Sequence, residues 1–215
     1  EILSGEVHLE VGLSHQGRTV AELRPAPFCC DAPEAPAFSE DDVVLVTGGA
    51  RGVTAEAAVA LAKSARPTLI LLGRSPAPNR EPSWIQGIVE EADMKKAILD
   101  NRFSARRPSP AELEAAYGEI AAGREIAATL SRIEGAGARV RYFPADVRDA
   151  SLLASILEEV RAFYGPVTAV VHGAGVLEDR LIVEKTAAQF ERVFSTKVQG
   201  LRSVLEATSE DPIRV

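Results

Sequence analysis

The sequence predicts an α/β domain built on a doubly wound parallel sheet, and three observations carry that prediction. Short apolar runs rich in β-branched residues alternate with longer helical patterns from residue 43 onward. Each run is apolar on both faces, as a strand covered by helices on two sides must be. The first run also feeds directly into a glycine-rich turn and then a helix, the opening unit of a right-handed βαβ array.

The elements follow in chain order. In residues 1–24, Val7, Leu9, Val11 and Leu13 alternate with polar neighbours, His15-Gln16-Gly17-Arg18 supplies a turn, and residues 19–23 return. That pattern is a β-hairpin appendage. Residues 25–42 shift to Pro, Ala and acid, with Pro25, Pro27, Pro33 and Pro36 breaking any period, and read as a linker. The linker holds both cysteines, Cys29 and Cys30. Adjacent cysteines rarely close an unstrained disulfide, and two alone lack metal-site spacing, so they are read as reduced and no metal is expected.

Strands are expected at residues 43–46, 68–72, 139–143 and 167–171, with 213–215 starting a fifth. Helices are expected at 53–63, 151–163 and 187–208. The second crossover is too long for one helix. Within it, Trp84, Ile85, Ile88, Val89, Ala92 and Ile98 predict an amphipathic helix. Ser109-Pro110-Ala111-Glu112 is a capping box with proline at the first helical position. It opens a helix carrying Leu113, Tyr117, Ile120, Leu130 and Ile133, closed near Gly135 and Gly137. The later part of that helix serves as the crossover, which makes residues 75–122 an insertion in a domain spanning 43–215.

Composition narrows the function. With 24 basic and 31 acidic residues the formal charge is −7, which argues against a nucleic-acid surface. No apolar stretch approaches the length of a membrane span and no N-terminal signal is visible, so the expectation is a cytoplasmic protein.

The chemistry starts at Thr47-Gly48-Gly49-Ala50-Arg51-Gly52-Val53-Thr54. A glycine turn between strand and helix lets backbone amides approach a pyrophosphate, whose charge the helix N-terminus stabilises. A tight turn that merely needs positive φ is the bland reading, but strand, turn and helix together favour a dinucleotide and a Rossmann-like sheet. The second strand ends in Gly73-Arg74-Ser75. An NAD site usually places an acid there for the ribose 2′-hydroxyl, whereas a 2′-phosphate wants a cation. Arg74 could be solvated surface; with Arg51 reaching the same point, NADPH/NADP+ is the better expectation.

Five stretches together carry a resemblance: VTGGARGVT at 46–54, LLGRS at 71–75, ADV at 145–147, HGAGVLED at 172–179 and TKVQG at 196–200. In that order they resemble the short-chain dehydrogenase/reductase superfamily, specifically ketoreductase domains of polyketide and fatty-acid synthases. TGGARGVTAE and the insertion with Glu81-Pro82-Ser83-Trp84 are most similar to the polyunsaturated-fatty-acid type. The resemblance implies that Asp146 and Val147 contact the adenine. It places His172, Gly173, Ala174 and Gly175 along the ribose and nicotinamide. Thr54 departs from it, standing where the pattern has its third glycine.

Lys197 falls in an apolar helical stripe formed by Phe190, Val193, Phe194, Val198, Leu201, Val204 and Leu205. On pattern alone it snorkels; the resemblance makes it catalytic. Leu177-Glu178-Asp179 is similar to a family loop that sets product configuration, which puts Asp179 on the substrate side; an acid near a helix start explains it equally well.

The implied reaction is hydride transfer from NADPH to a β-ketoacyl group on an acyl carrier protein, with neighbouring synthase domains as partners. In the family, a serine and a tyrosine after the fifth strand complete the site. Four residues beyond Tyr117, Tyr142 and Tyr164 stand Ala121, Asp146 and Thr168, not the expected lysine or asparagine. These residues alone are therefore expected to bind nucleotide without reducing a substrate. A non-catalytic nucleotide-binding or structural module, or another NADP-dependent short-chain enzyme, are the competing readings.

Overall fold

A computed structural model describes residues 11–20, 24, 38–77 and 81–214. Val7, Leu9, the prolines of the linker, both cysteines and Val215 lie outside the described residues. The chain divides into two units, Glu1–Ala35 and Pro36–Val215. In the first, β1 (Val11–Ser14) and β2 (Gly17–Val20) form an antiparallel hairpin pairing Val11 with Val20 and Ser14 with Gly17. Its turn is His15-Gln16, and Gly17 takes the φ of +120° that comes after it.

The second unit is built on a four-stranded parallel sheet of order β5-β4-β3-β6. The strands are β3 (Val43–Thr47), β4 (Thr68–Gly73), β5 (Val140–Pro144) and β6 (Ala169–His172). All five residues of β3 are buried. Alternate residues feed two cores, which is why the run is apolar throughout. Val44, Val46, Leu69 and Leu71 pack with Ala58, Val59 and Ala62 of α1 (Gly52–Ala65) and with Ile126 and Ile133 of α3 (Pro110–Gly135). Leu45, Ile70 and Leu72 pack with Leu153, Leu157 and Val160 of α4 (Ala150–Tyr164). Each fully buried aliphatic side chain contributes about 1.5–3 kcal/mol. Strand order reverses at β3, and a doubly wound sheet binds its ligand at the carboxyl ends of the strands beside that switch.

The segment expected as an insertion, residues 75–122, differs from expectation at its start. Residues 83–87 are turns, Val89 is exposed, and α2 spans only Glu91–Arg102. Pro82 and Gly87, with φ of +77°, stop the helical pattern, although Ile85 is still fully buried. Ile85, Met94, Ile98 and Ala116 form a small core of their own between this segment, α2 and the first half of α3. The Ser109 capping box forms as expected, and α3 runs unbroken through 26 residues from this core to the sheet.

The helix expected at 187–208 forms as one run over 187–207, with an internal departure from α geometry. It divides into α5 (Ala187–Phe194), one π-helical turn at Ser195–Gln199, and α6 (Gly200–Ala207). Small residues, namely Ser195, Thr196, Gly200 and Ser203, face inward with Val204, whereas Phe190, Phe194, Val198, Leu201 and Leu205 are exposed. The apolar stripe is real but turned outward, both before the π turn at Phe190 and Phe194 and within and after it at Val198, Leu201 and Leu205. No fifth strand forms among the described residues: Arg214 N–H donates to the Thr168 carbonyl at 2.9 Å, and one such bond does not make a ladder. Among the described residues no helix is long and apolar enough to cross a membrane.

Candidate cofactor site

The carboxyl end of β3 turns over Gly48-Gly49-Ala50 before α1 begins. Gly48 has φ of +70°, and a Cβ built on it would lie 3.0 Å from the Gly173 carbonyl and the Ala174 nitrogen. Two backbone segments thus meet with no room for a side chain, which leaves a cleft of about 400 Å³ above them. Gly48, Arg51, Gly73, Arg74, Ser75, Asp146, Val147, Gly173, Ala174 and Gly175 all line it. The sequence named these ten from four separate stretches, and the fold gathers them at one place.

Others take supporting positions. Thr47 and Gly49 are held beneath the turn, while Gly52 and Val53 form the exposed first turn of α1. Asp179 is exposed and does not line the cleft. Thr54 does line it, and its side chain fills the space that a Cβ on Gly173 would need. The missing third glycine is therefore compensated by a glycine on the facing loop. Ala50, Leu72, Ala145 and Thr196, each inside one of the five resembling stretches but given no role of its own, also line the cleft, as does Tyr142, which lies in none of them.

Charge is distributed unevenly around the opening. Asp146, just past β5, is gripped by Arg148, with Nε to Oδ1 at 3.0 Å and Nη2 to Oδ2 at 2.7 Å. The hydrogen bonds from Arg148 hold the Asp146 carboxyl down at about 2. The one sequence signal for Arg148 is a cation standing two residues after the acid. Arg51 donates through Nε to Glu125 of α3 at 2.8 Å. Arg74, exposed at the end of β4, has no hydrogen-bond or ion-pair partner among the described residues. Tyr142 donates its hydroxyl to the Ser75 carbonyl at 2.6 Å, and burial raises its pKa.

A relay of hydrogen bonds joins the glycine turn to Lys197. Ala174 N–H donates to Thr47 Oγ1 at 3.1 Å, and Thr47 Oγ1 lies 2.9 Å from His172 Nδ1. His172 Nε2 lies 3.1 Å from the Lys197 carbonyl oxygen. A carbonyl only accepts, so Nε2 carries the proton and Nδ1 accepts from the threonine. Burial lowers the His172 pKa, in keeping with this neutral tautomer. The Lys197 side chain crosses Gly175, where a Cβ would come within 2.9 Å of Cε and 3.2 Å of Nζ. The lysine thus neither packs inward nor snorkels along its own helix; it reaches from the π turn to the loop after β6.

The model of the KR domain family matches residues 42–215. This chain belongs to the ketoreductase (KR) domain family. Its relatives include a subunit of the polyunsaturated fatty acid synthase of Thraustochytrium sp., 34% identical over 203 residues that cover 91% of this chain. The chain spans 7% of that relative's length. Among solved structures, a ketoreductase domain from the bacillaene assembly line is 25% identical with a TM-score of 0.60, covering 94% of this chain and 37% of that one. A short-chain dehydrogenase of Mycobacterium paratuberculosis, bound to NAD, shares the fold at 20% identity and a TM-score of 0.55, covering 82% and 52% of the two chains. The KR chain thus has the short-chain dehydrogenase/reductase fold, and its relatives are parts of multidomain synthases.

Proposed function

We propose that this KR domain reduces a β-ketoacyl group carried on an acyl carrier protein, using NADPH, within a multidomain synthase. The observation that carries the reading is the position of Arg74, a cation with no hydrogen-bond or ion-pair partner among the described residues, at the end of β4 where an NAD-preferring site would have an acid. In this reading Gly48 and Gly173 let the backbone approach the pyrophosphate and the Val53 amide at the start of α1 faces its charge, while Gly52 shapes the turn with its own amide held by Glu125. Arg74 and Arg51 hold the 2′-phosphate, Asp146 and Val147 flank the adenine, and Ala174 and Gly175 meet the ribose and nicotinamide.

When bound, the cofactor supplies the hydride. Lys197, beside Gly175, directs its ammonium toward the ribose and stabilises the anion of a neighbouring proton donor. Tyr142 is not that donor, since its hydroxyl is committed to Ser75 and burial raises its pKa. By themselves these 215 residues bind nucleotide without turning over a β-ketoacyl thioester. The hairpin, in this reading, ends a structural subdomain that precedes the reductase, and residues 75–122 are the insertion.

The test is cofactor preference. NADPH is expected to bind more tightly than NADH, and Arg74→Ala to weaken NADPH by about 10- to 100-fold, the worth of a charge-assisted contact, with NADH unchanged. Equal affinity for both cofactors in the unsubstituted protein would overturn the NADPH assignment.

A further inference from the structure

Glu125 on α3 does two things at once. Its Oε1 accepts from Gly52 N–H at 2.8 Å, at the start of α1, and its Oε2 accepts from Arg51 Nε at 2.8 Å. Arg51 caps that helix without any side-chain cap of its own, so one carboxylate from a distant element ties both the turn and its guanidinium. The attachment is through Nε. Nη1 and Nη2 therefore have no partner among the described residues, and Arg51 lines the cleft with Arg74. A guanidinium held at Nε presents its outer fork to an incoming anion, the arrangement that phosphate oxygens match bidentately. Left untied, a long side chain on an exposed turn would lose rotamer freedom on binding.

The seat of Glu125 is itself fixed. Its neighbour Arg124 donates to the Ile85 carbonyl at 2.9 Å and to the Ile88 carbonyl, and pairs with Glu81. Successive residues of α3 thus grip the insertion and the glycine turn. Glu125 could instead act as a competitor for the cofactor phosphate, but both of its oxygens are engaged and Arg51 neutralises its charge.

We infer that Glu125 is a positioning residue that sets Arg51 for the 2′-phosphate and so helps to determine preference for NADPH over NADH. The inference rests on the NADPH reading above. The Arg51 and Glu125 side chains are 48% and 43% exposed, so the effect is that of a surface pair and not of a buried one.

The probes are 2′,5′-ADP and 5′-AMP, titrated calorimetrically into the intact polypeptide that carries this chain. Arg51→Ala is expected to weaken 2′,5′-ADP by about 10-fold or more and to leave AMP unchanged. Glu125→Ala is expected to weaken 2′,5′-ADP by about 3-fold, again sparing AMP, and to add nothing once Arg51 is alanine. Glu125→Gln reads the same ratio if the alanine variant does not fold. Equal losses for both probes would overturn the inference, because Glu125 would then only shape the turn. Tighter 2′,5′-ADP binding in Glu125→Ala would overturn it in favour of competition. If the unsubstituted protein does not prefer 2′,5′-ADP to AMP, the NADPH reading itself fails and the role of Glu125 falls with it.

Discussion

Asp146 and Arg148 form a forked ion pair at the lip of the cleft, and the pair gives one residue a measurable pH signature. The carboxyl is held at about 2, below its ordinary 3.8, chiefly by hydrogen bonds from Arg148. A depressed folded-state value means that the unfolded chain takes up the proton first. The contribution to stability is therefore complete above 3.8 and is lost as pH falls toward about 2. Asp146→Asn is expected to flatten the acid limb of the stability curve across that window, as read by denaturant unfolding at stepped pH. An unchanged limb would show that the pair is too solvated to matter. Gly175 gives a second residue-scale prediction. Alanine there would meet Lys197 at Cε and Nζ, so Gly175→Ala is expected to lower kcat of the intact reductase by about 10-fold or more, over and above its effect on NADPH affinity. A loss confined to NADPH affinity would argue that Lys197 does not work across this glycine. The pairings of Thr54 with Gly173 and of Arg51 with Glu125 are not legible in the sequence. Each joins residues far apart in the chain, and no local pattern encodes a complementary gap.

At the scale of elements, local rules succeed where the deciding physics is local. The capping box at Ser109 is one case. Ser109 Oγ accepts from Glu112 N–H and the Glu112 carboxylate accepts from Ser109 N–H, while Arg106 secures that carboxylate from outside. Ser109→Ala is expected to cost about 1 kcal/mol, measured as a shift in denaturant midpoint at unchanged slope. The strands are readable for a similar reason, since a parallel strand covered on both faces has to be apolar throughout. The helix carrying Lys197 departs from expectation because a hydrophobic stripe reports that a face exists and not which way it points. An i→i+5 turn leaves no mark in residue type, and Lys197 within this one reaches the Gly175 loop.

For the whole molecule, the sequence holds the order of the βαβ units and the stretches that meet at the sheet's carboxyl edge. It does not hold the strand order β5-β4-β3-β6, yet that order makes the site. Placing β6 beside β3 brings the HGAG segment against the glycine turn, so residues some 125 positions apart share hydrogen bonds. The apolar spacing from Trp84 to Val89 is helical, but Pro82 and Gly87 override it, and burial of Ile85 satisfies it without a helix.

One further consequence lies in α3. At 1.5 Å per residue its 26 residues form a rod about 39 Å long, with one end in the small core of the insertion and the other under the sheet. A continuous backbone ladder transmits a tilt at one end to the other as a lever does. The small core around Ile85 and Ile98 is thus joined to the core beneath the sheet by a single rigid element.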